Sequence, residues 1–162
     1  MKDMGASVAT ASLSKGKTVL ALAAHHNRIA FCFLVDGQPM DWQLVYRAAT
    51  SPARAKMKAE EWINFYAPDV IVTEDPKGFV RKGRVAENLT IALREAAIES
   101  DALHVEFERQ QNFENKYDEI EALCLRFPAM RIVKPRRRRV YEQEPSATTI
   151  FEALSLALQL EG

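Results

Sequence analysis

Cysteine is nearly absent from this chain, with two among 162 residues, and so few support neither a disulfide framework nor a zinc site. Cys32 lies between Phe31 and Phe33, and Cys124 falls in a helical pattern, so both read as small buried apolar residues. Long apolar runs are missing as well. None approaches the ~20 residues of a membrane span, and the first sixteen residues, rich in Ser, Ala and Gly, lack the apolar core of a signal peptide. Residues 1–16 are therefore expected to be a flexible tail and the protein to be cytoplasmic. Internal repeats and low-complexity linkers are also lacking. With 48% hydrophobic and 9% aromatic residues, 17–162 has enough apolar material for one domain with a real core.

The chain has no net charge either, since 22 basic residues balance 22 acidic ones, but the basic ones are unevenly spread. Lys77, Arg81, Lys82 and Arg84 fall in one short window, and Lys134, Arg136, Arg137, Arg138 and Arg139 in another, with no acidic residue in either. Setting those nine aside leaves 13 basic residues against 22 acidic ones. Such segregation suits a local anion-binding face on an otherwise acidic protein, although charge runs also occur as plain solvated loops.

Thr18 to Ala24 reads as an apolar strand. Arg28 to Val35 reads as a second, joined across Asp36-Gly37 to a third from Pro39 through Ala48. Asp-Gly between apolar runs signals a hairpin, because both central residues of a type I′ turn need positive φ. Ser51-Pro52 then opens a helix, with Ala55, Ala59, Trp62, Ile63 and Tyr66 at helical spacing and Pro68 ending it. Val70 to Thr73 is a fourth strand. A helix follows, with Val85, Leu89, Ala92, Leu93 and Ala96 on one face, and Leu103 to Phe107 alternates as a fifth strand. Tyr117, Ile120, Leu123, Cys124 and Phe127 mark a third helix closed by Pro128, and Ile150 to Leu160 is a last, very apolar one. Three meander strands followed by helix-linked strands predict an α/β domain with a five-stranded mixed sheet, antiparallel then parallel, flanked by helices.

The fourth strand runs directly into Thr73-Glu74-Asp75-Pro76 and then into the basic loop 77–84. Carboxylates at the end of a central strand are where metal-dependent phosphoryl transfer is usually placed. With this element order, residues 17 to 160 resemble the RuvC branch of the ribonuclease H-like superfamily, the Holliday-junction resolvases. The resemblance implies an acidic residue ending the first strand, a Glu ending the fourth and two acidic residues on the last helix. These would together hold two Mg²⁺ ions for phosphodiester cleavage.

Glu74 matches the fourth-strand position. At the first strand, Val19-Leu20-Ala21-Leu22 leads to Ala23 where the family has Asp. The next candidates, His25 and His26, suit Zn²⁺, Mn²⁺ or Fe²⁺ better than Mg²⁺, or are simply turn residues. On the last helix Glu152 matches one acidic position, while Thr149 stands one turn earlier where the other would be, and a hydroxyl cannot offset a cation's charge. Thr148, Thr149, Glu152, Ser155 and Gln159 also recur at helical spacing, so Glu152 could instead lie on a solvated stripe or close a capping box with Thr149. Asp75, next to Glu74 in an extended strand, should point to the opposite face. A one-metal site from Glu74, Glu152 and His25, holding Mg²⁺ or Mn²⁺, remains conceivable; a standard two-metal site does not.

The basic segments survive that loss. Gly78 and Gly83 let the 77–84 loop approach a phosphate backbone, Phe79 could stack on a base, and Arg136 to Arg139 could neutralise several phosphates. The arginines could alternatively meet an acidic protein, or the chain's own acidic helix around Glu114, Asp118, Glu119 and Glu121. The leading expectation is a catalytically degenerate, RuvC-like binder of structured or branched DNA, using Lys77, Arg81, Lys82, Arg84 and Arg136, Arg137, Arg138 and Arg139. A rival is an active metal-dependent endonuclease with Glu74 and Glu152 as metal ligands and His25 as ligand or general base. A third is a protein-interaction module on a nuclease scaffold. The resemblance also implies a homodimer.

Overall fold

A computed structural model of the chain describes residues 17–76, 83–108, 115–136 and 145–161. The tail expected over 1–16 lies outside these, as do Lys77, Arg81, Lys82, Arg137, Arg138 and Arg139. Five strands form one sheet: β1 (Thr18–His25), β2 (Arg28–Val35), β3 (Gln38–Val45), β4 (Val70–Glu74) and β5 (Leu103–Phe107), in the order β3-β2-β1-β4-β5. β1 pairs antiparallel with β2 and β2 with β3, whereas β1, β4 and β5 run parallel, as a mixed sheet requires.

The hairpin between β2 and β3 turns at Asp36 and Gly37, with φ of 52° and 78°, the positive pair that the Asp-Gly signal demands. β3 stops sooner than its apolar pattern suggests. After Val45 the chain tightens into a 3₁₀ turn over Arg47–Thr50, whose Ala49 is buried. Then α1 (Pro52–Tyr66) begins, with Ser51 as N-cap accepting from the Arg54 N–H at 3.2 Å, a contact worth about 1 kcal/mol. The helix stops when Ala67 takes a left-handed φ of 43°, just before Pro68.

α2 (Arg84–Ile98) links β4 to β5, and α3 (Lys116–Arg126) and α4 (Thr148–Leu158) complete the domain. Strand periodicity divides the core in two. Leu20, Leu22, Ile29, Phe31 and Ile71 meet α1 and α2 on one face. Val19, Ala21, Ala23, Ala30, Cys32 and Val72 meet α3 and α4 on the other. β1 is apolar from Val19 to Ala24 because both of its faces are covered there. Val85, assigned above to the buried stripe of α2, is instead exposed; Leu89, Ala92, Leu93 and Ala96 carry that stripe. Both cysteines are free and buried. Among the described residues no helix is long and apolar enough to cross a membrane.

Candidate functional site at one edge of the sheet

β1, β3, β4 and β5 all run one way, so their carboxyl ends share one edge of the sheet with the start of β2. α1 and α2 begin where the chain leaves β3 and β4 at this edge, and α4 begins there too, its first residues bonded to the start of β2. Helix N-termini present backbone N–H groups and partial positive charge. The chain reverses direction across the sheet between β1 and β4, and such a switch point opens the crevice in which α/β sheets bind ligands.

Glu74 ends β4 at that crevice and is buried. The β1–β4 register pairs Val19 with Val70 and Ala21 with Val72, and continuing it by two residues sets Ala23 beside Glu74. Ala23 faces α4 on the same side of the sheet and presents a methyl group there. Ala23 pairs with Ala30 on β2, and two residues further along His25 pairs with Arg28. His25 closes β1 and its Nδ1 lies 2.7 Å from Nδ1 of His26, so the two rings share one hydrogen bond in the β1–β2 turn.

Arg28 is the side chain that reading the sequence missed. It is only 3% exposed. Its Nε donates to Thr149 Oγ1 at 2.7 Å, one Nη donates to Asn27 Oδ1 at 3.0 Å, and the other points to Thr148 Oγ1 at 3.5 Å. The Thr148 hydroxyl in turn donates to the Pro145 carbonyl at 2.8 Å. A signal was present: Arg28 is in phase with Ala30, Cys32 and Leu34, which face α4, so its guanidinium had to enter the covered side of the sheet.

Glu152 follows Thr149 by one turn of α4 and is 2% exposed, with Thr148 and Thr149 equally buried. The solvated-stripe reading of Glu152 is thus overturned. The capping-box reading fails as well, because Ala147 is the N-cap of α4 and no side chain caps it. Asp75 lies just beyond β4 and is half-buried, its N–H donating to the Phe107 carbonyl at 2.8 Å.

These residues do not fit a two-ion centre. Two carboxyl groups, Glu74 and Glu152, are joined by a methyl group, a hydroxyl that already accepts from a guanidinium, and the guanidinium itself, which has no acceptor. Among the described residues no three His, Cys, Asp or Glu side chains gather as metal ligands, so Glu74, Glu152 and His25 share an edge without forming such a group.

The rim of the edge is basic. Arg84 opens α2 at this edge and is exposed; Arg136, also exposed, follows the 3₁₀ turn over Pro128–Val133. Arg47, in the 3₁₀ turn after β3, and Arg54, in the first turns of α1, are exposed too and flank a shallow cleft of about 240 Å³ with Lys58. Arg47, Arg54 and Arg84 make no ion pair among the described residues. Lys134, by contrast, is held in an ion pair by Glu121 of α3, so one member of the second basic window does turn to the acidic helix.

No protein-family model and no curated protein matches the sequence. Solved structures do match the fold. Thermus thermophilus RuvC in complex with a Holliday junction substrate superposes with a TM-score of 0.57 at 15% identity, over 87% of this chain and 90% of that one. A second structure of Thermus thermophilus RuvC gives 0.56 at 14% identity, over 87% and 91%. The Fowlpox virus resolvase in complex with Holliday junction DNA gives 0.56 at 9% identity, over 88% of this chain and 98% of that one. The chain therefore has the ribonuclease H-like fold of the RuvC and poxvirus Holliday-junction resolvases.

Proposed function

We propose that this chain binds nucleic acid, in the form of structured or branched DNA, at the carboxyl edge of its sheet, and that its cleavage site is incomplete. One observation carries the reading: that edge holds Ala23 on β1 and Glu74 on the neighbouring β4, with Thr149 ahead of Glu152, a buried arginine at the centre and exposed arginines on the rim. In this reading the edge lacks two of the acidic side chains that the resemblance implies and carries basic ones that neutralise phosphates and position a duplex without reading its bases. Arg84 and Arg136 belong to this surface, and Lys77, Arg81, Lys82, Arg137, Arg138 and Arg139 would extend it from segments that begin or end beside them. Arg47 and Arg54 add a flank on the β3 side. The two solved relatives whose structures hold a junction support four-way DNA as the ligand.

The test uses a labelled four-way junction and a matched linear duplex, each with Mg²⁺, Mn²⁺ or EDTA, on native and denaturing gels. The expected result is a junction-selective shift without cleavage, weakened when Arg84 and Arg136 to Arg139 are reversed to Glu. Affinity unchanged by those reversals would end the proposal. One observation favours a second reading, an endonuclease with an altered ligand set: Glu74 and Glu152 are both buried at this edge. That reading predicts metal-dependent product that Glu74→Ala abolishes.

A further inference from the structure

The edge contains a buried, permanently charged group for which the binding surface has no use. Arg28 is too deep to reach a phosphate, and a guanidinium is not deprotonated in proteins, so its charge is fixed within the domain. A buried charge is costly unless it is hydrogen-bonded and balanced. The Thr149 hydroxyl, the Asn27 amide oxygen and, more distantly, the Thr148 hydroxyl meet the guanidinium, but all three are neutral. The acidic groups buried at the same edge are the ones able to balance it. Glu152 lies one turn beyond Thr149 on α4, and Glu74 ends the strand beside Ala23, both buried on the face that Arg28 enters.

We propose that the Arg28 guanidinium is the resident cation of this site. It stands in for a divalent ion, fastening α4 to the β1–β2 hairpin and offsetting Glu74 and Glu152, so that the folded protein neither needs nor takes up Mg²⁺ or Mn²⁺ there. Three features agree. The guanidinium is anchored on Thr149, the residue at one of the positions implied to be acidic. The other such position, Ala23, is buried among apolar side chains and offers no ligand. An arginine also brings like charge to any approaching cation and so opposes its entry. The proposal goes beyond DNA binding and stands or falls without it.

Arg28→Gln is the informative variant, because it keeps an N–H donor at the Nε position for Thr149 and removes the charge together with the two Nη donors. Mn²⁺ binding is followed by electron paramagnetic resonance of the free ion, and melting temperature by circular dichroism, with no DNA present. In the wild type, Mn²⁺ should remain free and melting should be the same in EDTA, Mg²⁺ and Mn²⁺. Arg28→Gln should melt lower in EDTA, bind Mn²⁺ about tenfold more tightly than the wild type or better, and regain melting temperature as Mn²⁺ is added. Adding Glu74→Gln to the variant should abolish that uptake. Mn²⁺ held by the wild type and released by Glu74→Gln would overturn the proposal, as would an Arg28→Gln protein that binds no more Mn²⁺ than the wild type. If Arg28→Gln does not fold, the wild-type titration decides: free Mn²⁺ with unchanged melting upholds the proposal, and uptake lost in Glu74→Gln overturns it.

Discussion

Arg28 and Thr149 are 121 positions apart in the chain and 2.7 Å apart in the fold, and much of the character of this edge rests on that one bond. Thr149 is fully buried, so its hydroxyl cannot be replaced by water without local opening. Thr149→Val keeps the shape and removes the acceptor, which leaves a buried guanidinium N–H unsatisfied. Such a loss costs roughly 1–3 kcal/mol, at the upper end for a charged donor. Urea denaturation should show that loss for Thr149→Val and almost none for Thr149→Ser; equal stability of the two variants would mean that Thr149 does not hold Arg28. At this scale the sequence was only partly legible. Glu74 was legible as the end of its strand, because a β-branched run sets that position, but its burial was not, since a strand-end carboxylate can equally face solvent. Glu152 was ambiguous, because helical spacing groups it with Thr148, Thr149, Ser155 and Gln159 whether that face meets water or a sheet. Arg28 was passed over because a basic residue opening a strand looks like an exposed end until its partner helix is known.

Between elements, the parallel pairing at the heart of the sheet is stapled at the end opposite the site. Thr18 of β1 donates its N–H to Asp69 Oδ2 at 2.9 Å and its hydroxyl at 3.1 Å, while the Asp69 N–H donates back to Thr18 Oγ1 at 2.9 Å. The Thr18 backbone N–H first, and its hydroxyl second, hold the Asp69 carboxyl below its ordinary value. The sign follows directly. As pH falls, the unfolded chain takes up this proton before the folded one does. The contribution is therefore present above the ordinary carboxylate pKa of about 3.9 and is lost as pH falls through the lowered folded value. Urea midpoints at about pH 6 and about pH 3 should converge more in Asp69→Asn than in the wild type, because the variant has no carboxyl to titrate at this position. An unchanged difference between the two pH values would remove Asp69 from the acid limb. Elements were the most legible level: Asp36-Gly37 and Ser51-Pro52 set a turn and a helix start through backbone geometry that few other residues satisfy. Val85 and the end of β3 were misread because apolar residues at a helix start or a strand end follow the pattern without being covered.

Across the whole molecule, zero net charge conceals an uneven distribution along the chain: two short windows hold nine basic residues and no acidic one, which leaves 13 basic residues against 22 acidic ones elsewhere. Two of its basic clusters could be found by counting along the chain. Arg47 and Arg54 could not, since each is a single arginine in an ordinary stretch, and only the topology brings β3, α1, β4 and α2 to the same edge. Their contribution can be separated from that of the clusters through salt. Each phosphate contact that is lost should lower the steepness of log affinity against log salt by about 0.9 on duplex arms, with little change in preference among sequences. Arg47→Gln with Arg54→Gln should therefore flatten the slope by about two contacts' worth, and adding Arg84→Gln should flatten it by about one more. Reversing Lys58, which is already engaged by Glu61 at 3.1 Å, should have a smaller effect. Fluorescence anisotropy of a labelled four-way junction across a salt series provides the measurement. If the Arg47 and Arg54 substitutions leave the slope unchanged while Arg84→Gln reduces it, the DNA lies on the β4 and α2 side alone. If none of the three changes it, phosphates do not contact this edge, and the DNA-binding reading loses its structural basis while the Arg28 anchor remains.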